Sequence, residues 1–201
     1  MFNMLEQQHL PDDLHTCHTI QRYVLAVFYF STSGFQWTEC SGPKLYCEEE
    51  NIKASLACNR TVTRHNSNDR IGSLGTEAWL TPSHECEWGG LACHGENTPE
   101  LAQCLDQIDL EANNLRGVIP DEVASLEHLR FLYLEKGEMS GTISSALGSL
   151  ENLEVLGLSY NNFTGQVDPE ICALRAPEGS LRNLEVDCLD EVTCDCCTLC
   201  S

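Results

Sequence analysis

Thirteen cysteines in 201 residues are the groups of this sequence best suited to chemistry. Five lie close together near the C-terminus: Cys188, Cys194, Cys196, Cys197 and Cys200. The run Cys194-x-Cys196-Cys197-x-x-Cys200 has thiolate spacing that a zinc ion can accept. Cys197 and Cys200 also have the separation of a redox pair, although no strand and helix of a parallel-sheet unit frame them. Against both uses stands the cysteine density itself, which fits an oxidising compartment and structural disulfides. Cys86, Cys93, Cys172, Cys188, Cys194, Cys196, Cys197 and Cys200 are therefore expected in disulfides, with connectivity left open. An odd total leaves at least one thiol unpaired or bonded to another molecule. The seven histidines, at 9, 15, 18, 65, 84, 94 and 128, form no pair at metal-ligand spacing. No nucleophile elbow, phosphate loop, metalloprotease motif or EF-hand appears. Acidic neighbours are so common here that a pair of carboxylates signals no glycosidase. The expectation is no enzyme, no cofactor and no metal.

Charge narrows the partners. With 31 acidic against 11 basic residues, the formal charge is -20. Phosphate backbones and anionic lipid surfaces need clustered Lys and Arg, so nucleic acid and membrane surfaces are disfavoured. The balance fits a self-repelling soluble surface or a cationic partner. The longest apolar run, Tyr23 to Phe30, is far short of the roughly 20 residues of a membrane span. Met1 to Leu14 lacks an apolar signal core, so a mature form, a trimmed ectodomain or a fragment is expected.

The elements that must position these groups fall into three stretches: 1–103, 104–174 and 175–201. Residues 1 to 16 are polar and expected to be loose on the surface. Cys17 to Ser33 reads as a helix with a wide apolar face containing Ile20, Tyr23, Val24, Val27 and Phe28. Thr19 is a candidate cap at its start, and Gly34 suits a left-handed turn at its end. Trp37 is expected to pack back on it. Residues 39–73 read as a long insertion held by cysteines 40, 47 and 58, with a helix or hairpin conceivable over 52–62. Cys86 and Cys93, flanking Trp88 and Gly89-Gly90, read as a disulfide-closed turn with an aromatic lid.

The middle stretch repeats. Ile108, Leu132 and Leu156 are spaced by 24, as are Leu110, Leu134 and Leu158. The same step links Leu115, Met139 and Phe163, then Gly117, Gly141 and Gly165, then Ile119, Ile143 and Val167. It continues through Val123, Leu147 and Ile171 and through Leu126, Leu150 and Leu174. Leu-x-Leu alternation makes a short strand with alternate side chains pointing inward. Asn113 and Asn161 follow two of these strands and can bond backbone groups of neighbouring coils; Gly137 takes that place in the second copy. Stacked coils bury one apolar column whose ends need caps. Leu181, Leu184 and Val186 read as a last irregular strand before the cysteine-rich tail.

These motifs carry a resemblance. Asn114-Leu115-Arg116-Gly117-Val118-Ile119-Pro120, and Tyr160-Asn161-Asn162-Phe163-Thr164-Gly165 after it, resemble the signature of plant-type leucine-rich repeats. The Cys86, Trp88, Gly90 and Cys93 unit is similar to the N-terminal cap of that family, which includes receptor-kinase ectodomains and polygalacturonase-inhibiting proteins. The helix with Trp37 and the cysteine-dense tail look closest to algal, diatom-type secreted and cell-surface members. The resemblance implies an α/β fold: a short right-handed solenoid with a parallel concave sheet, 3-10 or irregular convex turns, a helical N-terminal cap and a cysteine-rich C-terminal cap. It also implies recognition without catalysis, outside the cell. Ser144 and Asp168 stand where the signature has proline, so an imperfect convex turn is expected in the second and third copies.

Strand alternation predicts which side chains face a ligand. The candidates on the concave face are Asp109, Glu111, Phe131, Tyr133, Glu135, Ser159 and Tyr160. Aromatic rings beside carboxylates suit a cationic peptide or a sugar ring; the same rings would also support one another on a solvated sheet. The leading reading is an extracellular module binding a protein, peptide or cell-wall glycan. The alternative is a structural subunit of an extracellular fibre or coat, self-assembling through its large caps. Asn59-Arg60-Thr61 and Asn162-Phe163-Thr164 are acceptor sequences for N-glycosylation.

Overall fold

Three coils, each one 24-residue repeat, stack through two sheets. The structure, a computed structural model, describes residues 12–40, 74–95, 101, 103–188 and 192–201. Asn59, Cys47, Cys58 and the conceivable element over 52–62 lie outside the described residues. Helix α1 (Asp12–Ser31) leads into β1 (Leu91–Cys93) and β2 (Leu105–Asp109). Then come β3 (Arg116–Gly117), β4 (Phe131–Tyr133), β5 (Glu138–Thr142), β6 (Val155–Gly157) and β7 (Asn162–Gln166). Helix α2 (Pro169–Ala173), β8 (Asn183–Val186), β9 (Val192–Thr193) and β10 (Leu199–Cys200) close the chain. One sheet has the order β1-β2-β4-β6-β8-β10, antiparallel only at β1-β2; the lateral sheet has the order β3-β5-β7-β9.

Register follows the repeat. Ile108 pairs with Leu132, Leu132 with Leu156 and Leu156 with Leu184. The six apolar classes meet in one buried column running from Leu105 through Leu132, Leu156 and Leu184 to Val192. A single column of this kind is what makes stacked coils stable where one coil is not.

Helix α1 begins at Asp12, not at Cys17, so the polar segment is shorter than expected and Thr19 lies inside the helix. At the other end the left-handed residue is Ser33, with φ 58°, and not Gly34. Gly34 is needed for a different reason: a Cβ there would enter the Tyr29 ring. The helix end then extends the lateral sheet, because Arg116 and Val118 donate their N–H groups to Thr32 O and Ser31 O. Gly117, at φ +103°, passes so close to Ser31 O that no side chain fits.

The convex turns are regular, contrary to the imperfect turns expected. Pro120, Ser144 and Asp168 all hold the same extended conformation, with φ from -74° to -64°, ahead of the turns Asp121–Ser125 and Ser145–Ser149 and of α2. Proline fixes that φ by its ring. Serine and aspartate reach the same end as N-caps: Ser144 Oγ accepts from Ala146 N, and Asp168 Oδ1 accepts from Glu170 N.

Asn161 ties two coils. Its Nδ2 donates to Leu134 O at 2.9 Å and Leu158 O at 3.0 Å, and its Oδ1 accepts from Met139 N at 3.0 Å. It thereby serves the second copy, where Gly137 has no side chain. Asn113 instead ties the first coil to the cap, accepting from Glu39 N and donating to Glu39 O. Asn161→Ala would orphan three buried backbone groups. A loss of about 1–3 kcal/mol is expected by urea unfolding of the oxidised protein, against under about 0.5 kcal/mol for the exposed Asn152→Ala.

Every described cysteine is in a disulfide. Five pairs join Cys17 to Cys104, Cys86 to Cys93, Cys172 to Cys196, Cys188 to Cys200 and Cys194 to Cys197, and Cys40 is bonded as well. The tail thiols are thus committed to bridges, and Cys197 and Cys200 are not bonded to each other. Eleven of the thirteen cysteines are among the described residues, and all eleven are bonded. No helix among the described residues is long and apolar enough to cross a membrane.

Candidate functional site

The six-stranded sheet turns one set of alternate side chains to the column and the other set to its opposite face. Pairing arranges the second set in rows. Gln107, Phe131, Val155 and Asn183 form one, and Asp109, Tyr133, Gly157 and Glu185 the next. Continuing the alternation gives a third row of Glu111, Glu135, Ser159 and Asp187. The character changes across the rows, from amide and apolar to acidic.

Phe131, Tyr133 and Val155 make a cluster separate from the column. The two rings stack at 6.3 Å, and Arg130 lies over Phe131 at 5.0 Å. Phe131 is 1% and Tyr133 2% exposed, so they are packed, not an open aromatic platform. Asp109, Glu135 and Ser159 are buried too. The Glu135 carboxylate folds over Gly157, where a Cβ would collide with it. The accessible part of this face is its acidic rim. Glu111 keeps partial exposure and accepts from Lys136 Nζ at 2.7 Å. That bond and the carboxylate charge hold the Lys136 ammonium above its usual range. Tyr160 projects at 62% exposure from a left-handed backbone of φ 58°. Its N–H and that of Asn161 both donate to Asp187, at 2.7 and 2.8 Å.

A charged ladder braces the other edge of the sheet. Asp106, Arg130, Glu154 and Arg182 alternate in sign from one strand to the next. Their backbones are bonded in the same order: Arg130 N to Asp106 O, Glu154 N to Arg130 O, and Arg182 N to Glu154 O. Arg130 and Arg182 both donate to Glu154. Arg130 NH1 and His94 Nε2 stand 3.7 and 3.3 Å from Asp106 Oδ1. Burial pushes the Asp106 carboxyl above its ordinary value of 3.8; His94 and Arg130 partly offset this, and Glu154 adds to it. The ladder escaped sequence reading although its first three members share the 24-residue step, because charges at that step read as a solvated face.

Two other groups converge. Cys17, Cys104 and His128 meet, but both sulfurs are in one disulfide. His18, His84 and Glu85 meet where α1 crosses the loop before β1; this grouping lies beyond sequence reading because 66 positions separate the two histidines. Asn162 and Thr164 are exposed on β7 of the lateral sheet. A groove of about 640 Å³ runs beside that sheet, lined by Val118, Thr142, Ser144 and Gln166 among others.

The family model described as Leucine Rich Repeat matches residues 152–174, the third coil. Among solved structures, the chain is similar to the ectodomain of the receptor kinase SOBIR1 from Arabidopsis thaliana. The two are 22% identical at a TM-score of 0.45, over 60% of this chain and 61% of that one. PEPR1–AtPEP1 is 26% identical at a TM-score of 0.41, over 55% of this chain and 13% of that one. The plant peptide hormone receptor RGFR1 in complex with RGF2 is 36% identical at a TM-score of 0.36, over 47% of this chain and 14% of that one. The chain thus spans a small part of PEPR1 and under two thirds of the SOBIR1 ectodomain. No curated protein matches it.

Proposed function

We propose that this leucine-rich-repeat protein is an extracellular, non-catalytic recognition module, and that its ligand is a protein or peptide with a cationic segment lying along the acidic rim of the six-stranded sheet. The observation that carries the reading is the third row. Glu111, Glu135, Ser159 and Asp187 follow one another on successive coils; Glu111 and Asp187 keep partial exposure, with Glu185 beside Asp187 and the exposed Tyr160 ring at the edge. Strands in a sheet lie about 4.8 Å apart, so the accessible carboxylates of Glu111 and Asp187, three strands apart, stand at a spacing of roughly 14 Å that an extended or helical basic segment can bridge. A tyrosine with an open ring supplies apolar contact area and a hydroxyl at low entropic cost. The packed Phe131, Tyr133 and Val155 cluster makes the platform rigid, which lowers the ordering cost of binding.

Lys136 is part of this mechanism. Its ammonium is paired with Glu111, and a ligand lysine or arginine competes for the same carboxylate. Binding therefore weakens with salt, because rim charges are screened within about 8–10 Å.

Selection of displayed peptides on the native, oxidised protein tests the reading. Selected sequences are expected to be enriched in Lys and Arg. Binding to the double variant Glu111→Lys, Tyr160→Ala is expected to be at least tenfold weaker, about 1.4 kcal/mol. Peptides without basic enrichment, or affinity unchanged in the double variant, would remove the rim as the site. Light scattering separates this function from assembly: a monomer before and after reduction supports it, whereas a regular polymer overturns it.

A further inference from the structure

We infer that His18, His84 and Glu85 form a binding site for a divalent transition-metal ion, zinc by preference, which staples α1 to the loop that precedes β1. One ligand atom of each residue lies within 4.8 Å of the other two. His18 Nδ1 stands 2.6 Å from Glu85 Oε1, and His84 Nδ1 stands 3.9 Å from Glu85 Oε2. The imidazoles stack at 4.7 Å, tilted by 19°. Both rings thus turn a nitrogen to one carboxylate from the same side.

Two imidazole nitrogens and a carboxylate oxygen are a donor set that zinc accepts, with bonds of about 2.0–2.2 Å and a fourth position for water. Ligand atoms around such a tetrahedral ion stand about 3.3 Å apart. His18 has to withdraw from Oε1 and His84 to approach the carboxylate, movements that side-chain torsions supply. The rest of the cluster is arranged as a supporting shell. Glu85 is completely buried. Gln21 Nε2 donates to its Oε1, and Arg22 NH1 approaches its Oε2 at 3.5 Å. Arg22 also donates to Thr81 O and Ser83 O, fixing the loop that carries His84. Partners of this kind orient ligands and raise metal affinity. His84 Nε2, on the far side of the ring, is buried with no hydrogen-bond partner, and the ion would bind through the other nitrogen. His84 Nδ1 accepts a 3.2 Å bond from Cys86 N, the one contact that an ion at that nitrogen displaces. His18 is the solvent-side ligand, with 43% of its side chain exposed, and gives the ion an entry path. The strongly acidic chain raises the local cation concentration.

Among the described residues soft thiolate sites are closed to the ion, because each of their cysteines is in a disulfide. The borderline N/N/O set favours zinc or copper over calcium and magnesium, which take oxygen.

The test uses the full-length, oxidised protein after chelator treatment. Zinc is titrated by calorimetry, and cobalt is followed by its visible ligand-field band. One equivalent of zinc is expected, with a rise in melting temperature and a cobalt band free of thiolate charge transfer. His18→Ala and His84→Asn are each expected to weaken zinc binding at least about tenfold and to lose the thermal shift. Asparagine keeps an acceptor for Cys86 N–H, so the turn survives, and melting in chelator verifies that both variants fold. Three results overturn the inference: no stoichiometric uptake, unchanged affinity in both variants, or a thiolate band.

Discussion

Trp79→Ala is expected to lower stability by about 3–5 kcal/mol and the melting temperature by about 6–20 °C, the largest effect of any single change in the cap. Trp79 is completely buried. Its ring lies 4.8 Å from Trp37, 5.7 Å from Trp88, 6.2 Å from Phe28 and 6.4 Å from Tyr29. Its Nε1 donates to Gly89 O at 2.8 Å, and its backbone N–H to Cys40 O. All three tryptophans of the chain are in this one cluster, and it closes the end of the apolar column beside Leu91. The cap buries its rings only as a set, so loss of the central one leaves a cavity that its rigid neighbours fill poorly. Trp79→Phe keeps a ring and loses the hydrogen bond and part of the area, and is expected to cost less than half as much. Calorimetric unfolding with disulfides intact checks this. A loss under about 1 kcal/mol would mean that the cap unfolds apart from the solenoid.

Arg130→Ala is expected to cost about 3 kcal/mol near neutral pH and much less in acid. Removal of the guanidinium leaves the fully buried Asp106 with the His94 imidazole as its remaining close basic neighbour and leaves Glu154 with Arg182. The pH dependence has a definite sign. Burial holds the Asp106 carboxyl above 3.8 in the folded protein, so the folded state takes up its proton more readily than the unfolded chain. The corresponding stability is fully present below about 3.8 and is lost as pH rises through the folded value. Asp106→Asn removes that loss. Its melting temperature relative to the parent is therefore expected to rise as pH climbs from about 3.8 through the raised value, then to level off. The Arg130→Ala penalty should shrink over the same interval on acidification, because a neutral Asp106 no longer needs the cation. A melting difference that does not vary with pH between the parent and Asp106→Asn would show that Asp106 is not the titrating member of the ladder.

The solenoid was legible because one physical requirement recurs. Each coil must bury the same side chains, so Ile108, Leu132 and Leu156 keep step and pair in register. The turn residues were partly misread. Ser144 and Asp168 looked like departures from a proline signature, yet capping by a short side chain satisfies the same orphan N–H groups that proline's fixed φ serves. The helix start was misplaced because Cys17 opens the apolar face, whereas the helical backbone begins with Asp12. The facing rows followed from alternation, but not their burial: a two-residue period says which side a ring points to and nothing about what packs over it. The His18, His84 and Glu85 group depends on α1 crossing a loop more than sixty residues later, which only tertiary structure supplies.

The central claim is that the acidic rim of the six-stranded sheet is the recognition surface. Hydrogen exchange of the protein with and without a selected basic peptide tests it most directly. Slowed exchange is predicted at Glu111 and Ala112, at Glu135–Gly137 and at Ser159–Asn161, with the lateral strands β5 and β7 unchanged. Protection confined to β5, β7 and the groove beside them, or to the Trp37–Trp79–Trp88 cap, would contradict the account and move the binding surface to that face.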